Sequence, residues 1–478
     1  MHALILSAFA ALYLSEEFGA PLVPAPAGWA LAFSLGATGA ALAALWCVSG
    51  YQVRRLDRDG RVRRVRAVES LASATRWILL GVHAGACALG LLGHVRGRMG
   101  DLVALDELVA LSPFVLGLCA VEFIVYPVQR RLRDAMTIRS LDQGLPVHPY
   151  PPRGRFVWLW ARHHVFFMLV PLSILLAWAE GAERLVGRFS LNGPDRDATL
   201  LGVEVLGLLL VFAFIPPLLV RIWDTVPLRS GPLLDRLAEM ARAHRVGVRA
   251  FLVWRTSGLM LNGAAIGLIR PLRYVVLTDA LLDRLTPMEI EAVAAHEIGH
   301  IRHRHTPWLA ASVIGSVLLF GTPVGWATML LAPGTLWSDV AFGAGVGLTL
   351  VLTLVVLGMV SRRFERQADA FAARHLSGER RGGERVEVTA ASALAMSTAL
   401  SRVAEAHDII IDRPTFRHGS IRRRMRSLSG AVGLRSDRLP ADRAARRACY
   451  AVAAMLLIGA ALAMIDVVLS AGGLGVVG

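Results

Sequence analysis

A chain of 478 residues that is 55% hydrophobic, with a mean hydropathy of +0.53, is too apolar for an ordinary soluble enzyme, and its apolar residues come in blocks. Its net charge of +15 rests on arginine alone, since lysine is absent, and these arginines sit between the apolar blocks. They read as topology signals and not as a nucleic-acid surface. Cys47, Cys87, Cys119 and Cys449 lie in or beside apolar segments with no Cys-x-x-Cys pair, which argues against a disulfide framework or a cysteine metal site.

In chain order, Met1 to Leu14 are apolar but short, lack a basic flank and run into Ser15-Glu16-Glu17 and the proline-rich stretch Pro21 to Pro26. This argues against a cleaved signal peptide and leaves room for a short helix. Hydropathy then predicts membrane spans over 28–50, 77–94, 103–127, 165–179, 198–222, 309–332, 337–360 and 449–476. Asp106 and Glu107 put the start of the third span at the interface. The loops 51–76 and 128–155 are arginine-rich, whereas 95–102 and 180–197 are shorter or carry balancing acids. Placing the arginine-rich loops in the cytoplasm puts 223–308 and 361–448 there too.

The composition, rich in arginine, alanine, glycine and valine, suggests a bacterial genome and hence the bacterial inner membrane. Pro146 to Pro152 reads as a stiff loop, and Ser427 to Arg447 as a linker before the last span. The organisation expected is therefore an N-terminal membrane domain over 1–222, a first catalytic piece over 223–308, a transmembrane hairpin over 309–360, a second catalytic piece over 361–448, and a C-terminal helix over 449–478. The fold class is a mostly α, polytopic membrane protein of about eight transmembrane helices, with a cytoplasmic α+β domain split by the hairpin.

The first catalytic piece carries His296-Glu297-Ile298-Gly299-His300. Two histidines four apart on a helix face the same way and can share one zinc ion, with the intervening Glu297 beside its open position. Thr286-Pro287-Met288-Glu289 predicts the helix start, with Thr286 as cap and Glu289 closing a capping box. The helix is expected to run through His303 and His305 and to stop near Pro307, so that both of these histidines are interfacial. The pair His163-His164 reads the same way.

A catalytic zinc needs a further protein ligand. Glu365 and Asp369, one turn apart in Ser361 to Asp369, allow one carboxylate to bind the metal while the other orients a ligand histidine. The stretch 258–277 alternates turn-formers with Val, Leu, Ile and Tyr and predicts paired strands, with Asn262 either in one of them or in an Asn-Gly turn. Arg417 to Arg426 is a basic segment of the kind found near anionic lipid.

The motif His296 to His300, two apolar spans, and then Ser361-Arg362-x-x-Glu365-x-x-Ala368-Asp369 together resemble the membrane-embedded gluzincin peptidases, the family of the CaaX prenyl endopeptidase and HtpX. The resemblance covers about 230–426, including Asn262, Gly267, Arg270, Val275 to Asp279, His418 and Arg424. Gly263 stands where the family often has Ala, and Gly419 where it often has Pro.

The resemblance implies one Zn2+ per chain on His296, His300 and Glu365, with Asp369 supporting a ligand histidine. It makes Glu297 the general base, His418 and Arg424 the candidates for oxyanion stabilisation and scaffold bonding, and Asn262 part of a strand that receives substrate. The implied activity is that of a zinc endopeptidase, of the metalloendopeptidase class, acting on membrane or membrane-associated polypeptides in quality control or peptide processing. CaaX-type processing of lipidated substrates, a catalytically silent scaffold or adaptor, and an intramembrane site-2-type protease are the alternatives. The charged residues Glu289, Glu291, Arg302 and Arg304 around the motif argue against the last. The partners expected are a polypeptide substrate and the lipid bilayer, with no nucleic acid. No feature of the sequence speaks to oligomeric state.

Overall fold

In a bilayer each backbone N–H and C=O needs an internal partner, so apolar blocks of this length fold as helices. The computed structural model describes the chain apart from residues 18–20, 24, 27, 143, 145, 148, 190–192, 330–334, 380–383, 408 and 472–478. Pro146 to Pro152 thus lies partly outside the described residues, as do the ends of the spans expected at 309–332 and 449–476. Two compact units are present: residues 1–225 with 255–257, and residues 226–254 with 258–478.

The first unit is helical: α1 (His2–Glu17), α2 (Trp29–Asp59), α3 (Val62–Ala88), α4 (Leu91–Met99), α5 (Leu105–Asp142), α6 (Arg153–Ala161), α7 (Phe167–Val186), α8 (Gly193–Phe214) and α9 (Pro216–Ile222). Leu45, Val68, Leu79, Leu111, Phe114 and Leu118 form its main buried cluster. The segment expected as an arginine-rich loop at 51–76 is mostly helix, because arginine is a good helix former and the interruption is confined to Gly60 and Arg61. Asp106 and Glu107, expected at an interface, are buried, each 2.5 Å from Arg96.

Six described helices are long and apolar enough to cross a membrane, and eight if two bent pairs each count as one span. The bends are 63° between α3 and α4 and 52° between α8 and α9. The hydropathy blocks at 77–94 and 198–222 fall on these broken pairs. The protein is an integral membrane protein of the polytopic helical class, with a small mixed sheet.

The sheet has four strands in the order β1 (Thr225–Pro227), β2 (Ala250–Trp254), β4 (Tyr274–Thr278), β3 (Gly263–Ile266). β2 pairs parallel with β4, and β3 antiparallel with it, so β3 is an edge. The second unit's helices are α10 (Pro232–Ala243), α11 (Asp279–Arg284), α12 (Pro287–Arg302), α13 (His305–Met329), α14 (Leu336–Leu376), α15 (Ala390–Ala406), α16 (Ile421–Ser429) and α17 (Pro440–Ala471). The expected linker at 427–447 is instead the end of α16, a short turn and the first turns of α17. Leu237, Val275, Leu277, Ile290, Ile298, Phe371, Met396 and Leu400 share one core joining sheet and helices.

Four features of this packing position the site. The capping box forms: Glu289 N–H donates to Thr286 Oγ1 at 3.4 Å, and Thr286 N–H donates to Glu289 Oε2 at 2.8 Å. At Gly299, α12 meets α14 so closely that a Cβ would stand 3.3 Å from Ala368 Cα and 3.2 Å from the Phe371 ring. A side chain here would require Ala368 and Phe371 to give by a few tenths of an ångström, a shift that glycine avoids. The long α14 is continuous, so its apolar part and its charged part, Arg362 to Asp369, belong to one rod. α17 packs along α13 and α14 through Val360, Phe364, Ala445 and Val452, and Trp326 Nε1 donates to Asp466 Oδ1 at 2.6 Å.

Candidate metal centre

Residues four apart on a helix share a face, and α12 places the Nε2 atoms of His296 and His300 3.1 Å apart. Across the close α12–α14 contact, one carboxylate oxygen of Glu365 lies 3.7 Å from His296 Nε2 and the other 3.8 Å from His300 Nε2. Zinc bonds of about 2.0–2.1 Å in a tetrahedron separate neighbouring ligand atoms by about 3.4 Å. The three separations bracket that value, and the donor set of two imidazoles and one carboxylate suits zinc. Among the described residues this is the one His, Cys, Asp and Glu grouping close enough to hold an ion, its ligand atoms all within 4.8 Å of one another.

The surroundings hold these donors in place. His296 Nδ1 is 3.0 Å from Asp369 Oδ1. Arg424, from α16, grips Asp369 with both ends of its guanidinium, Nη2 to Oδ1 at 2.6 Å and Nε to Oδ2 at 2.8 Å. Its Nη1 reaches Glu365 Oε2 at 3.1 Å. His418 Nδ1 lies 3.0 Å from Glu365 Oε1, with the His418 side chain 57% exposed.

Burial opposes the charge of Arg424, but Asp369 and Glu365 more than compensate and raise its pKa above the ordinary value. Burial, and next to it His296, holds His300 well below the ordinary histidine value, so its ring stays neutral. For His296 burial works in the same direction, but the Asp369 carboxylate outweighs it and the net shift is upward.

Glu297 projects between this cluster and the sheet edge. Ala265 N–H, on β3, donates to Glu297 Oε2 at 2.8 Å. Burial pushes the Glu297 carboxyl above its usual range against the pull of His296. Asn262 lies one residue before β3 and continues its pairing: Thr278 N–H donates to Asn262 O, and Asn262 N–H to Thr278 Oγ1, both at 3.0 Å. A cavity of about 880 Å³ opens along β3 and the histidines, and Leu268, Met396, Leu400, Val403 and Ile409 give it an apolar wall. His418 and Arg424 line it as well. Gly419, where Pro is common in the resembling family, has φ +71°, a left-handed conformation closed to proline.

One residue of the site escapes sequence reasoning. His305, expected at an interface, is 1% exposed, and its Nδ1 lies 2.8 Å from His300 Nδ1. In an unbroken helix a residue five positions on points about 140° away. Here α12 ends at Arg302, and Arg304 adopts φ +54° before α13 begins, which folds His305 back under His300. The signal was Pro307, whose preference for a first helical turn allows a new helix start just before it. His303 is partly buried in the hinge.

Spans, split site and paired histidines make this a polytopic membrane protein with a candidate metal centre. Residues 228–431 match Peptidase family M48. The chain is 27% identical to Protease HtpX of Legionella pneumophila over 162 residues, which are 33% of this chain and 58% of that protein. It is 33% identical to a Protease HtpX homolog of Aeropyrum pernix over 137 residues, 28% of this chain and 43% of that protein. Protease HtpX of Pseudomonas paraeruginosa is 26% identical over 238 residues, 45% and 78% of the two chains. The chain thus spans 58% of the length of the Legionella relative. The crystal structure of S. mikatae Ste24p aligns with 85% of this chain and all of that one, at 15% identity and a TM-score of 0.49.

Proposed function

We propose that this protein is an integral-membrane zinc endopeptidase that hydrolyses peptide bonds in membrane or membrane-associated polypeptides. The observation that carries the reading is the convergence of His296, His300 and Glu365 next to a glutamate that is itself hydrogen-bonded to an open sheet edge. His296, His300 and Glu365 hold the zinc. When bound, the ion supplies Lewis acidity that polarises a carbonyl and acidifies water near neutral pH.

Substrate enters as an extended segment along the outward edge of β3, beginning at Asn262, main chain to main chain. The apolar wall formed by Met396, Leu400 and Val403 favours apolar side chains beside the cleaved bond. Glu297 takes a proton from the attacking water as the new C–O bond forms at the carbonyl carbon. It returns that proton to the amine as the C–N bond breaks, so no covalent intermediate with the protein is needed. His418, held by Glu365, stabilises the developing oxyanion. Asp369 and Arg424 fix the ligands: the carboxylate orients His296 and the guanidinium anchors both carboxylates.

Residues 223–308 and 361–448 act as two halves of the catalytic domain, brought together by the hairpin 309–360. The arginine-rich segments 51–76 and 128–155 between the apolar stretches support a cytoplasm-facing site in a bacterial inner membrane, a setting suited to quality control or peptide processing. Nothing in the site favours a silent scaffold or a requirement for lipidated substrates.

The test compares zinc content and cleavage of an unstructured peptide panel for the purified wild type and Glu297→Gln in detergent. One zinc per chain in both, with cleavage lost in the variant, is the expected result. A wild type without zinc would refute the ligand assignment, and equal cleavage by both forms would refute the role of Glu297.

A further inference from the structure

A metal-binding imidazole works only in one tautomer, and that tautomer is set by whatever its other nitrogen meets. His300 turns Nε2 toward His296 and Glu365, so its proton belongs on Nδ1, and the atom that meets Nδ1 is His305 Nδ1 at 2.8 Å. To accept, His305 must carry its own proton on Nε2, which lies 3.0 Å from Gln367 Oε1. The Gln367 amide then donates from Nε2 to Asp442 Oδ1 at 2.9 Å. Asp442 Oδ2 in turn accepts from Arg374 Nη1 at 2.8 Å. Every donor in this series faces an acceptor, and reversing any one member leaves two donors or two acceptors opposed.

The rings are also held. His305 stacks on Phe364 with centroids 4.3 Å apart and planes 3° from parallel, so its edge, and with it both nitrogens, is fixed in direction. Phe364 directly precedes Glu365, the residue that closes the site from the other side. We propose that His305 and Gln367 form a positioning relay that locks His300 in its Nδ1–H tautomer and anchors it to Asp442 on α17. The last helix, which has no part in the peptide-binding edge, is thereby tied to the metal centre.

The proposal rests on His300 being a zinc ligand, and the test separates the two. Zinc affinity of the full-length protein in detergent is measured by competition with a chromogenic chelator, for the wild type, His305→Phe and Gln367→Met. Phenylalanine keeps the ring stack on Phe364 but cannot accept a hydrogen bond. Methionine keeps the volume of Gln367 but not the amide. Loss of such a supporting partner lowers metal affinity by roughly 10–100-fold, and that fall is expected for His305→Phe, with a smaller one for Gln367→Met. At saturating zinc, kcat for a peptide should fall with KM unchanged, since the relay does not touch the β3 edge.

A folded His305→Phe that holds zinc within about threefold of the wild type, against the roughly 10–100-fold fall expected, overturns the relay. If that variant fails to fold, wild-type affinity in Gln367→Met overturns it instead. A wild-type chain that takes up no zinc refutes the zinc reading beneath it.

Discussion

Arg424 offers the sharpest test of how the site is held. It is 7% exposed and makes three contacts with buried carboxylates, at 2.6 and 2.8 Å to Asp369 and 3.1 Å to Glu365. Replacing it with methionine leaves the buried carboxylates of Asp369 and Glu365 without their shared guanidinium. Breaking a buried ion pair from one side costs about 3–5 kcal/mol. For a unit of this size each kcal/mol is worth about 2–4 °C in melting temperature, so Arg424→Met should melt on the order of 10 °C below the wild type.

The loss should be greatest in chelator-treated protein, because a bound dication offsets part of the missing positive charge. The double variant Arg424→Met/Asp369→Asn removes one of the stranded charges and should recover part of the loss, a coupling that a double-mutant cycle measures directly. Arg424→Lys should fall between, since a single ammonium cannot make the two-pronged contact. Thermal unfolding of the purified protein with and without chelator is the assay. A change of under about 3 °C for Arg424→Met, or no recovery in the double variant, would refute the claim that this guanidinium balances both carboxylates.

Three further outcomes follow from the geometry. Glu297→Gln should retain zinc while kcat for peptide cleavage drops by about 10²–10⁴, measured by single-turnover cleavage at saturating peptide. Gly299→Val places methyl groups against Ala368 Cα, where even a Cβ would stand at 3.3 Å; overpacking should cost about 1–3 kcal/mol, visible as lower melting temperature and weaker zinc retention together. Gly419→Pro demands a φ of the opposite sign from +71° and breaks the paired Thr415–Gly419 hydrogen bonds of 3.0 and 3.1 Å, so it should displace His418 and lower kcat. Gly419→Ala should be milder, about 1–2 kcal/mol, as chemical denaturation would show.

The architecture was legible where a single physical rule decides it. Long apolar runs must be helices in a bilayer, and the eight hydropathy blocks correspond to six single candidate spans and two bent pairs among the described residues. The bends were not legible, because hydropathy averages over a window and does not see local backbone direction. The arginine stretches 51–76 and 427–447 are largely helical, because arginine and alanine favour helix and polarity alone does not make a segment irregular. In the sheet, the pairing of β3 with β4 could be read from turn signals, whereas β2 could not, since Ala250 to Trp254 is a short apolar run without alternation.

At the site, local spacing made the facing of His296 and His300 readable, and the pattern around Glu365 and Asp369 suggested a carboxylate pair. The grip of Arg424 on both carboxylates crosses 55 residues to Asp369 and depends on where α16 lands. Periodicity does not place His305, because the two-residue hinge between α12 and α13 changes its direction.

The unbroken course of α14 carries one more consequence. A hydrocarbon layer of about 30 Å takes about 20 helical residues, which the apolar run Val340 to Val360 supplies. At about 1.5 Å per residue, Glu365 then stands about 7–8 Å past the end of that run, at the depth of the lipid headgroups. Because α14 is one unbroken helix between the two, the height of the proposed cutting site above the bilayer is set by helix length. On the proposed activity, a bond in a distant soluble loop would have to be drawn down to the headgroups before it could be cut, while a bond just outside a neighbouring transmembrane helix would already be level with the site.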